Sequence, residues 1–339
     1  MIKIVGDICF SDGYFDVGFG IGSKLKEKYN PFEHLKFDSD DIWIGNLECV
    51  ISDISKVTGF KKNHFRVPYH NVSALNHFNV YGVANNHVMQ HGPEAYNQML
   101  ENINRLGSKY VGSVTNKTLK FDHKGYKFAI AVFSQRAESF SEKPLYWSCP
   151  DYIELASELS KLLDCKFKIA YMHWGNEFIN YPSVEQKKLA HWLIDIGYDL
   201  VIGTHSHVLQ GFEVYNNKYI FYSLGNFLFN MPTEETRFSA MVNLDIDQGE
   251  LKVSYDYILI DKECKPAIVT QEKADKKFKF DTLNKKNSFN GDNEVYFRDV
   301  FKQLSIYRHK NHRWMLSTLS RHNFKEFLYI LRDFIDRRV

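Results

Sequence analysis

Residues 200–207 read LVIGTHSH, a short apolar run that ends abruptly in polar side chains. Earlier in the chain the same pattern recurs, with a run rich in β-branched or aromatic residues followed by polar ones. These runs are Ile2 to Val5 before Asp7, Ile42 to Ile44 before Glu48, Val80 to Ala84 before Asn86-His87, and Ile169 to Met172 before His173. Apolar residues at helical spacing fill the intervals, notably over 93–106 and 184–196. The alternation predicts βα units.

Between residues 212 and 260 the pattern changes to consecutive strand candidates. They lie at 212–215, 219–223, 240–246 and 251–260, with turn residues at 216–217 and 248–249. Short strands separated by such turns are typical of hairpins. We therefore expect antiparallel strands here, and with them a second sheet.

The composition indicates a folded α/β protein and excludes several other classes. Of 339 residues, 44% are hydrophobic and 25% are charged, and 43 basic residues nearly balance 41 acidic ones. A net charge of +2 supplies no field for a polyanion, so we expect no nucleic-acid partner. Asp7 interrupts the first apolar run too early for a signal peptide or a membrane span. Five dispersed cysteines without a C-x-x-C pair favour a cytoplasmic location.

The charge pattern suggests three parts. Residues 1–261 contain the α/β pattern, and residues 262–300 are polar and read as a charged linker or loop. Residues 301–339 carry nine Lys or Arg residues against three acids, interleaved with aromatic and aliphatic residues. This basic aromatic tail favours a pair of helices packed on the main domain. The alternative is a helical tail that lies on an anionic membrane surface. We expect the tail to stay outside the catalytic core.

Polar side chains at the carboxyl ends of neighbouring strands converge on one crevice in α/β folds. Carboxylate oxygens and imidazole nitrogens suit Zn, Mn, Fe or Mg, and this set is large enough for two ions. A pair of ions roughly 3.5–4 Å apart activates water and neutralises charge in phosphoryl transfer. The candidate residues are Asp7, Glu48, Asn86, His87, His173, His205 and His207.

Two details of this set favour a shared centre. An extended segment places positions i and i+2 on one side, so His205 and His207 are expected to reach the same place. Glu48 is the natural bridge, because a carboxylate offers two oxygens. Taken singly, Asp7 or Glu48 is more often a helix cap or a surface charge, and His173 a buried histidine. If these side chains converge in the folded protein without a metal, however, their buried charges are left uncompensated.

Seven ordered segments resemble a known family. They are Gly6-Asp7, Asn46-Leu47-Glu48, Phe65-Arg66-Val67-Pro68, Ala84-Asn85-Asn86-His87, His173-Trp174-Gly175-Asn176-Glu177, Gly203-Thr204-His205-Ser206-His207 and Tyr222-Ser223-Leu224-Gly225-Asn226-Phe227. Their order and spacing, over about residues 1–230, are similar to those of the CapA-type bacterial capsule or poly-γ-glutamate synthesis proteins. That family is itself similar to calcineurin-like metallophosphoesterases. The resemblance implies a four-layer αββα sandwich, with the C-terminal helices as an appendage.

The resemblance also implies roles. Two divalent metal ions would be held, one by Asp7, Glu48 and His207, the other by Glu48, Asn86, His173 and His205. His87 would donate a proton to the leaving group, and Arg66 would contact a substrate anion. The wider superfamily usually has Asp-x-His in its first segment, whereas Cys9 stands at the histidine position here. We favour a buried packing role for this thiol over a weakly held first metal.

The function expected on this basis is that of a metal-dependent phosphoesterase or related hydrolase in bacterial capsule or surface-polymer biosynthesis. One alternative keeps the metal and changes the bond to an amide or γ-glutamyl linkage. Another is a non-catalytic assembly factor that binds an anionic polymer. The expected partners are an anionic polymer or phosphoester substrate and, through the tail, an anionic membrane or capsule-assembly proteins.

Overall fold

Two β-sheets packed face to face form the centre of the protein, as seen in a computed structural model. The structure describes residues 1–14, 16–27, 29–136, 143–287, 293–322 and 324–336. The strands are β1 (Ile2–Ile8), β2 (Ile42–Leu47), β3 (Val50–Ile51), β4 (Arg66–Val67), β5 (Val80–Gly82), β6 (Lys109–Val111), β7 (Thr118–His123), β8 (Tyr126–Ser134), β9 (Phe167–His173), β10 (Leu200–Thr204), β11 (Phe212–Tyr215), β12 (Lys218–Phe221), β13 (Asn226–Leu228), β14 (Phe238–Asp247), β15 (Glu250–Ile260) and β16 (Pro266–Val269). The helices are α1 (Ile21–Lys24), α2 (Tyr69–Val72), α3 (Pro93–Arg105), α4 (Tyr152–Ser160), α5 (Val184–Ile196), α6 (Phe280–Asn287), α7 (Asn293–Thr318) and α8 (Phe324–Asp336).

Both sheets combine parallel with antiparallel strands. The first has the order β16-β15-β14-β1-β2-β5-β6, with β13 also paired to β1. Within it β1, β2, β5 and β6 run parallel, whereas β14, β15 and β16 are antiparallel. The second has the order β11-β12-β10-β9-β8-β7, parallel from β12 to β8. The parallel strands therefore bring their carboxyl ends to one edge of each sheet.

Successive side chains along the strands of the second sheet point alternately into two apolar layers, one between the sheets and one beneath the helices. On β8, Phe128 and Ile130 belong to the core between the sheets, whereas Ala131 and Phe133 belong to a cluster with α4 and α5. This period of two is the side-chain period of a strand, and both faces are buried because each has a partner layer. On the other side, α3 packs against the first sheet at β6. The layers follow the order αββα, as predicted.

Both helices expected from apolar spacing are present as α3 and α5. Helix α5 begins with a capping box, in which the Ser183 side chain accepts from the backbone of Gln186 and the Gln186 side chain accepts from the backbone of Ser183. It ends at Gly197, whose φ of 122° is accessible because glycine has no Cβ. Local sequence signals therefore account for both ends of this helix.

The hairpins and the second sheet expected from residues 212–260 are both present, but these strands are divided between the two sheets. Strands β11 and β12 make the predicted hairpin, but β12 then joins the second sheet beside β10. Strands β14 and β15 make another hairpin that extends the first sheet beside β1. The turn residues specify each hairpin locally, whereas the sheet that it joins is decided by tertiary pairing.

The stretch 262–300, expected to be a linker or loop, contains β16, α6 and the start of α7 among its described residues. Phe280 and Leu283 on α6 are fully buried, and Phe280 packs edge-on against Phe212. A few apolar residues dock this polar stretch onto the main body, which average composition does not reveal. The division of the chain into domains stays a prediction.

The basic tail is helical, as expected. Helix α7 packs Tyr296 and Val300 against Ile179, in the loop that follows β9. On α8, Phe324 and Leu328 are exposed, whereas Ile330 is buried. In the parts of the chain that the structure describes, no helix combines the length and apolar character needed to cross a membrane.

Candidate metal centre

The carboxyl ends of strands from both sheets place polar side chains in one buried cluster. Asp7 lies near the end of β1 and Glu48 directly follows β2, while Asn86 and His87 lie in the turn after β5. His173 ends β9, and His205 and His207 follow β10. The Tyr171 hydroxyl ties the sheets together by donating to the Val5 carbonyl at 2.6 Å. All seven residues singled out in the sequence are therefore brought together, and they are Asp7, Glu48, Asn86, His87, His173, His205 and His207.

Glu48 lies at the centre of this cluster. It is 0% exposed, and neither carboxylate oxygen accepts a hydrogen bond from any residue that the structure describes. Its Oε1 lies 3.6 Å from His87 Nε2 and 3.8 Å from the Nε2 atoms of His173 and His207. Burial, and then the neighbouring Asp7, raise the pKa of Glu48 well above its usual range. This carboxylate lacks a cation or donor that would offset its desolvation.

Asp7 is buried as deeply but is held in place. Its Oδ1 accepts from Asn46 Nδ2 at 2.8 Å, and its Oδ2 accepts from the backbone N–H of His205 at 3.2 Å. The same Oδ2 lies 3.6 Å from His207 Nδ1. Burial raises the pKa of Asp7, while His207 and Asn46 act in the opposite direction. The carboxylate is thus oriented by groups from both sheets.

Hydrogen bonds also orient the imidazoles. The Oδ1 atom of Asn226 accepts from His207 Nδ1 at 2.9 Å, which leaves His207 Nε2 facing Glu48. His173 Nε2 lies 2.8 Å from Asn86 Oδ1. Burial lowers the pKa of His173 and His207, so both rings are held in the neutral form that binds metals. Supporting groups of this kind fix the orientation of metal ligands.

His205 and His207 reach the cluster by a different route from the one predicted. Strand β10 ends at Thr204, and His205 and His207 have φ values of 87° and 57°, in the left-handed region. The segment is thus a tight turn and not an extended strand. Gly203 allows it to pass close to its neighbours, since a Cβ there would lie 2.0 Å from the Tyr222 carbonyl oxygen. Both rings still enter the cluster, with centroids 6.1 Å apart.

The donor atoms fall into two overlapping sets that could hold a metal ion. One contains Glu48, His173 and His205, and the other Asp7, Glu48 and His207, with one atom per residue within 4.8 Å of the others. The two unpartnered oxygens of Glu48, the residue shared by both sets, fit such a group. Two buried carboxylates among neutral imidazoles are a hard-to-borderline donor set, which suits a divalent ion.

His87 lies at the side of the cluster that opens to a cavity. Its ring stacks on Phe65, with centroids 3.8 Å apart and planes 15° apart. Its Nδ1 is buried without a hydrogen bond in the described structure. Burial, and then His207, lower the pKa of His87 to about 3, so the ring is neutral in the free protein. An anionic group beside it would favour the protonated ring.

The cavity above the cluster has a volume of about 310 Å³. Asn86, His87 and His207 line it, together with two charged residues that were not expected at the site, Arg136 and Glu177. Arg136 Nη1 donates to His205 Nε2 at 2.7 Å. Arg136 lies two residues after β8, where a single Arg carries no distinctive pattern, whereas Glu177 stands within the quoted segment 173–177.

Arg66 does not line this cavity. Its Nε donates to the Lys62 carbonyl at 2.8 Å and its Nη1 to the Ser52 carbonyl at 2.6 Å. It borders a separate cavity of about 440 Å³, together with Asp12 and Tyr329. The Nε and Nη1 donors of its guanidinium are therefore already used by backbone carbonyls. The contact with Ser52, 14 residues away in the chain, is formed only in the folded protein. Its contact with a substrate anion stays a prediction.

Cys9 is 1% exposed and lies near the cluster in sequence, two residues after Asp7. Its Sγ lies 3.1 Å from the Ser11 hydroxyl, and burial raises its thiol pKa well above the usual range. Cys9 belongs to none of the donor sets among the described residues. This environment agrees with the packing role that we favoured.

Comparison with known proteins matches residues 1–231 to the family model described as bacterial capsule synthesis protein PGA_cap. The chain is 31% identical to the capsule biosynthesis protein CapA of Bacillus anthracis, over 68% of this chain and 62% of that protein. It is 30% identical to the PGA biosynthesis protein CapA of Bacillus subtilis strain 168, over 63% of this chain and 60% of that one. The match therefore spans less than two thirds of either relative.

Solved structures with a similar arrangement include a 5'-nucleotidase from Candida albicans, 13% identical, with a TM-score of 0.45 over 91% of this chain and 58% of that one. A novel phosphatase from Mycoplasma pneumoniae is also 13% identical, with a TM-score of 0.45 over 76% of this chain and 92% of that one. The family match covers more than half of the chain and includes every residue of the buried cluster. The chain therefore belongs to the bacterial capsule synthesis protein family PGA_cap.

Proposed function

We propose that this protein is a metal-dependent hydrolase of phosphoester bonds that acts in the synthesis of a bacterial surface polymer. One observation carries the proposal. The fully buried carboxylate of Glu48 has two unpartnered oxygens and is shared by two donor sets. Burial raises the pKa of Glu48 well above its usual range, so the ionised form persists only when something offsets its charge, and a pair of divalent ions would do so.

Asp7, Glu48 and His207 would hold one ion, and Glu48, Asn86, His173 and His205 the other. Bound there, divalent ions supply Lewis acidity, a water of lowered pKa and neutralisation of charge on phosphoryl oxygens. Asn46 and Asn226 position Asp7 and His207 for this role through the hydrogen bonds described above. The identity of the native ions among Mn, Fe, Zn and Mg is open to metal analysis.

His87 is the group that we assign to protonate the leaving oxygen. It borders the cavity, and its stacking on Phe65 fixes the ring plane. A bound phosphate anion raises its pKa from the low value in the free protein, because the anion favours the charged ring. The proton thus becomes available when substrate is bound.

Arg136 is the cavity's candidate for binding the substrate anion. Its guanidinium lies at the cluster, 2.7 Å from His205 Nε2, and it lines the same cavity as His87. A planar guanidinium fork matches phosphate or carboxylate oxygens. We propose that Arg136, and not Arg66 alone, supplies the positive charge that orients the substrate.

The test combines metal analysis with a panel of phosphomonoesters and phosphodiesters. Purified protein should contain bound divalent ions, and His205→Ala should lower the metal content because it removes a buried imidazole. His34→Ala is the matched control, since His34 is 45% exposed at its side chain. Protein that holds no metal after metal-replete purification, or that turns over none of the esters, contradicts the proposal.

A second candidate function is hydrolysis of an amide or γ-glutamyl linkage at the same metal centre. The name of the Bacillus subtilis relative, a PGA biosynthesis protein, supports this candidate. Turnover of γ-glutamyl peptides without turnover of p-nitrophenyl phosphodiesters would select it. Metal and anionic polymer bound without any turnover would instead select a non-catalytic assembly factor.

We further propose a cytoplasmic location with peripheral contact, through the tail, with an anionic membrane or with capsule-assembly proteins. All five cysteines are unpaired, which supports a reducing compartment. The exposed apolar residues Phe324, Leu328 and Leu331 on α8 support surface contact, since basic residues accompany them in the sequence.

A further inference from the structure

Helix α7 forms one wall of the cavity above the cluster, contrary to our expectation that the tail stays outside the catalytic core. Tyr307, Asn311 and Trp314, which we call the α7 wall, line the cavity together with His87 and His207. Their spacing of four and three residues places them on one face of the helix. This wall lies outside residues 1–231, the segment matched by the family model.

The helix is firmly attached where it passes the cavity. Phe178, in the loop after β9, stacks on Tyr307 with centroids 3.5 Å apart and planes 15° apart. The other side of Phe178 faces His207, with centroids 6.0 Å apart. About two turns earlier on α7, Asp299 Oδ2 accepts a hydrogen bond from the Tyr181 hydroxyl at 2.7 Å. The wall is therefore coupled by direct packing to a member of the buried cluster.

Asn311 supplies an unused hydrogen-bonding group. The residue is 9% exposed, and its Oδ1 is buried without a hydrogen bond from any described residue. A buried acceptor of this kind costs free energy unless a partner satisfies it. Because Asn311 lines the cavity, a donor on a bound molecule can satisfy it, such as a hydroxyl, an amide N–H or an ammonium group.

Resting on the proposed function, we infer that the α7 wall makes the site selective for a small phosphoester or the end of a chain, against internal linkages of a polymer. A volume of about 310 Å³ lies at the lower end of small-molecule pockets, which span roughly 300–1,000 Å³. An internal linkage needs room for a chain to leave on both sides of the scissile bond. The α7 wall occupies that room on one side, and Asn311 contacts the group that ends there.

The first arm of the test compares two substrates. One is a small phosphodiester, and the other is the same diester with a polyethylene glycol chain on both alcohol groups. Wild type should prefer the small diester, and Trp314→Ala should shift the ratio of kcat/KM values towards the large one by roughly tenfold, the lower range of discrimination by pocket shape. Leu316→Ala, on the same helix but 61% exposed, is the control and should leave the ratio unchanged.

The second arm does not depend on catalysis. Gln90 lines the cavity, so Gln90→Cys, in protein whose exposed Cys149 is replaced by serine, places a thiol inside it. N-methylmaleimide should label this thiol readily, whereas fluorescein-maleimide should label it slowly. Trp314→Ala should raise the labelling rate of the bulky reagent relative to the small one by roughly tenfold, and Leu316→Ala should not.

The two arms separate the possible failures. If wild type hydrolyses neither diester, the proposed phosphoesterase function fails, and labelling alone decides the inference about α7. The inference is overturned if Trp314→Ala behaves like Leu316→Ala in labelling, or if wild type cleaves the large diester as efficiently as the small one.

Discussion

Replacing Glu48 with glutamine should change stability in opposite directions in metal-free and metal-loaded protein. Without metal, wild type carries a buried carboxyl group whose oxygens accept no hydrogen bond from the described residues and lie near Asp7 and near imidazoles at 3.6–3.8 Å. Glutamine has nearly the same shape and no charge, so it avoids the cost of either desolvating the Glu48 carboxylate or protonating it. In EDTA, Glu48→Gln should therefore unfold at a temperature equal to or above that of wild type.

With metal, the order should reverse. An ion at 100 times its dissociation constant stabilises the native protein by about 2.7 kcal/mol. A variant that binds about 100-fold more weakly retains only about 0.4 kcal/mol of this gain at the same concentration. Losing the carboxylate shared by both donor sets justifies a weakening of that order. The metal-dependent gain should thus fall by about 2.3 kcal/mol.

The measurement is thermal unfolding of both proteins in EDTA and across a Mn²⁺ titration. Glu250→Gln is the matched control, because the Glu250 side chain is 77% exposed and should change neither curve. The reasoning is refuted if Glu48→Gln retains the full metal-dependent gain. It is refuted equally if the variant is markedly less stable than wild type in EDTA.

Four further predictions follow from the site and the tail. His87→Gln should keep the metal content of wild type and lower turnover by roughly 10²–10⁴-fold, with a smaller loss for p-nitrophenolate than for poor leaving groups; metal loss would count against it. Arg136→Lys should raise KM by roughly tenfold, since charge-assisted hydrogen bonds are worth about 1.5–3 kcal/mol, and this rise should exceed that of Arg66→Lys; the reverse order would make Arg66 the main anion contact. Burial and Asp12 raise the pKa of Asp16 from 3.8 to about 7, so the stability that this group contributes is complete below pH 3.8 and lost as the pH rises through 7. Asp16→Asn should therefore flatten the dependence of the free energy of unfolding on pH between these values, and an unchanged slope would exclude the assignment. Deleting residues 323–339 should weaken co-sedimentation with anionic liposomes at low salt, since each basic residue near the surface contributes about 1 kcal/mol, and equal binding by both proteins would argue against the membrane contact.

The positions of the cluster residues could be predicted because they depend on a rule that local sequence obeys. Runs of apolar residues mark the strands, and the carboxyl ends of parallel strands converge. The positions of Asp7, Glu48 and His173 directly after such runs therefore predict that they lie together at the carboxyl edge of the sheets. The orientation of the turn after β10 could not be predicted in the same way. The left-handed φ values at His205 and His207, and the close approach of Gly203 to the Tyr222 carbonyl, are tertiary features that no local pattern encodes.

The positions of Arg136 and of the α7 wall beside the site could not be predicted from the sequence either. Arg136 follows an ordinary strand, β8, and the pairing of β8, β9 and β10 within the second sheet brings it to His205. The α7 wall is separated from the strand ends by more than a hundred residues of sequence, and its spacing is that of any amphipathic helix. Where such a helix docks depends on contacts such as the one between Phe178 and Tyr307. Composition therefore indicated a helix but not its neighbour.

Strand β1, which carries Asp7, pairs on its two sides with strands from distant parts of the chain, β2 on one side and β13 and β14 on the other. During synthesis on the ribosome, Asp7, Glu48 and Asn86 emerge long before the imidazoles of the second sheet. Pairings this far apart in sequence form late, because the loop between them must close first. The nascent chain thus has neither donor set complete until translation has passed His205, and it has both only after His207.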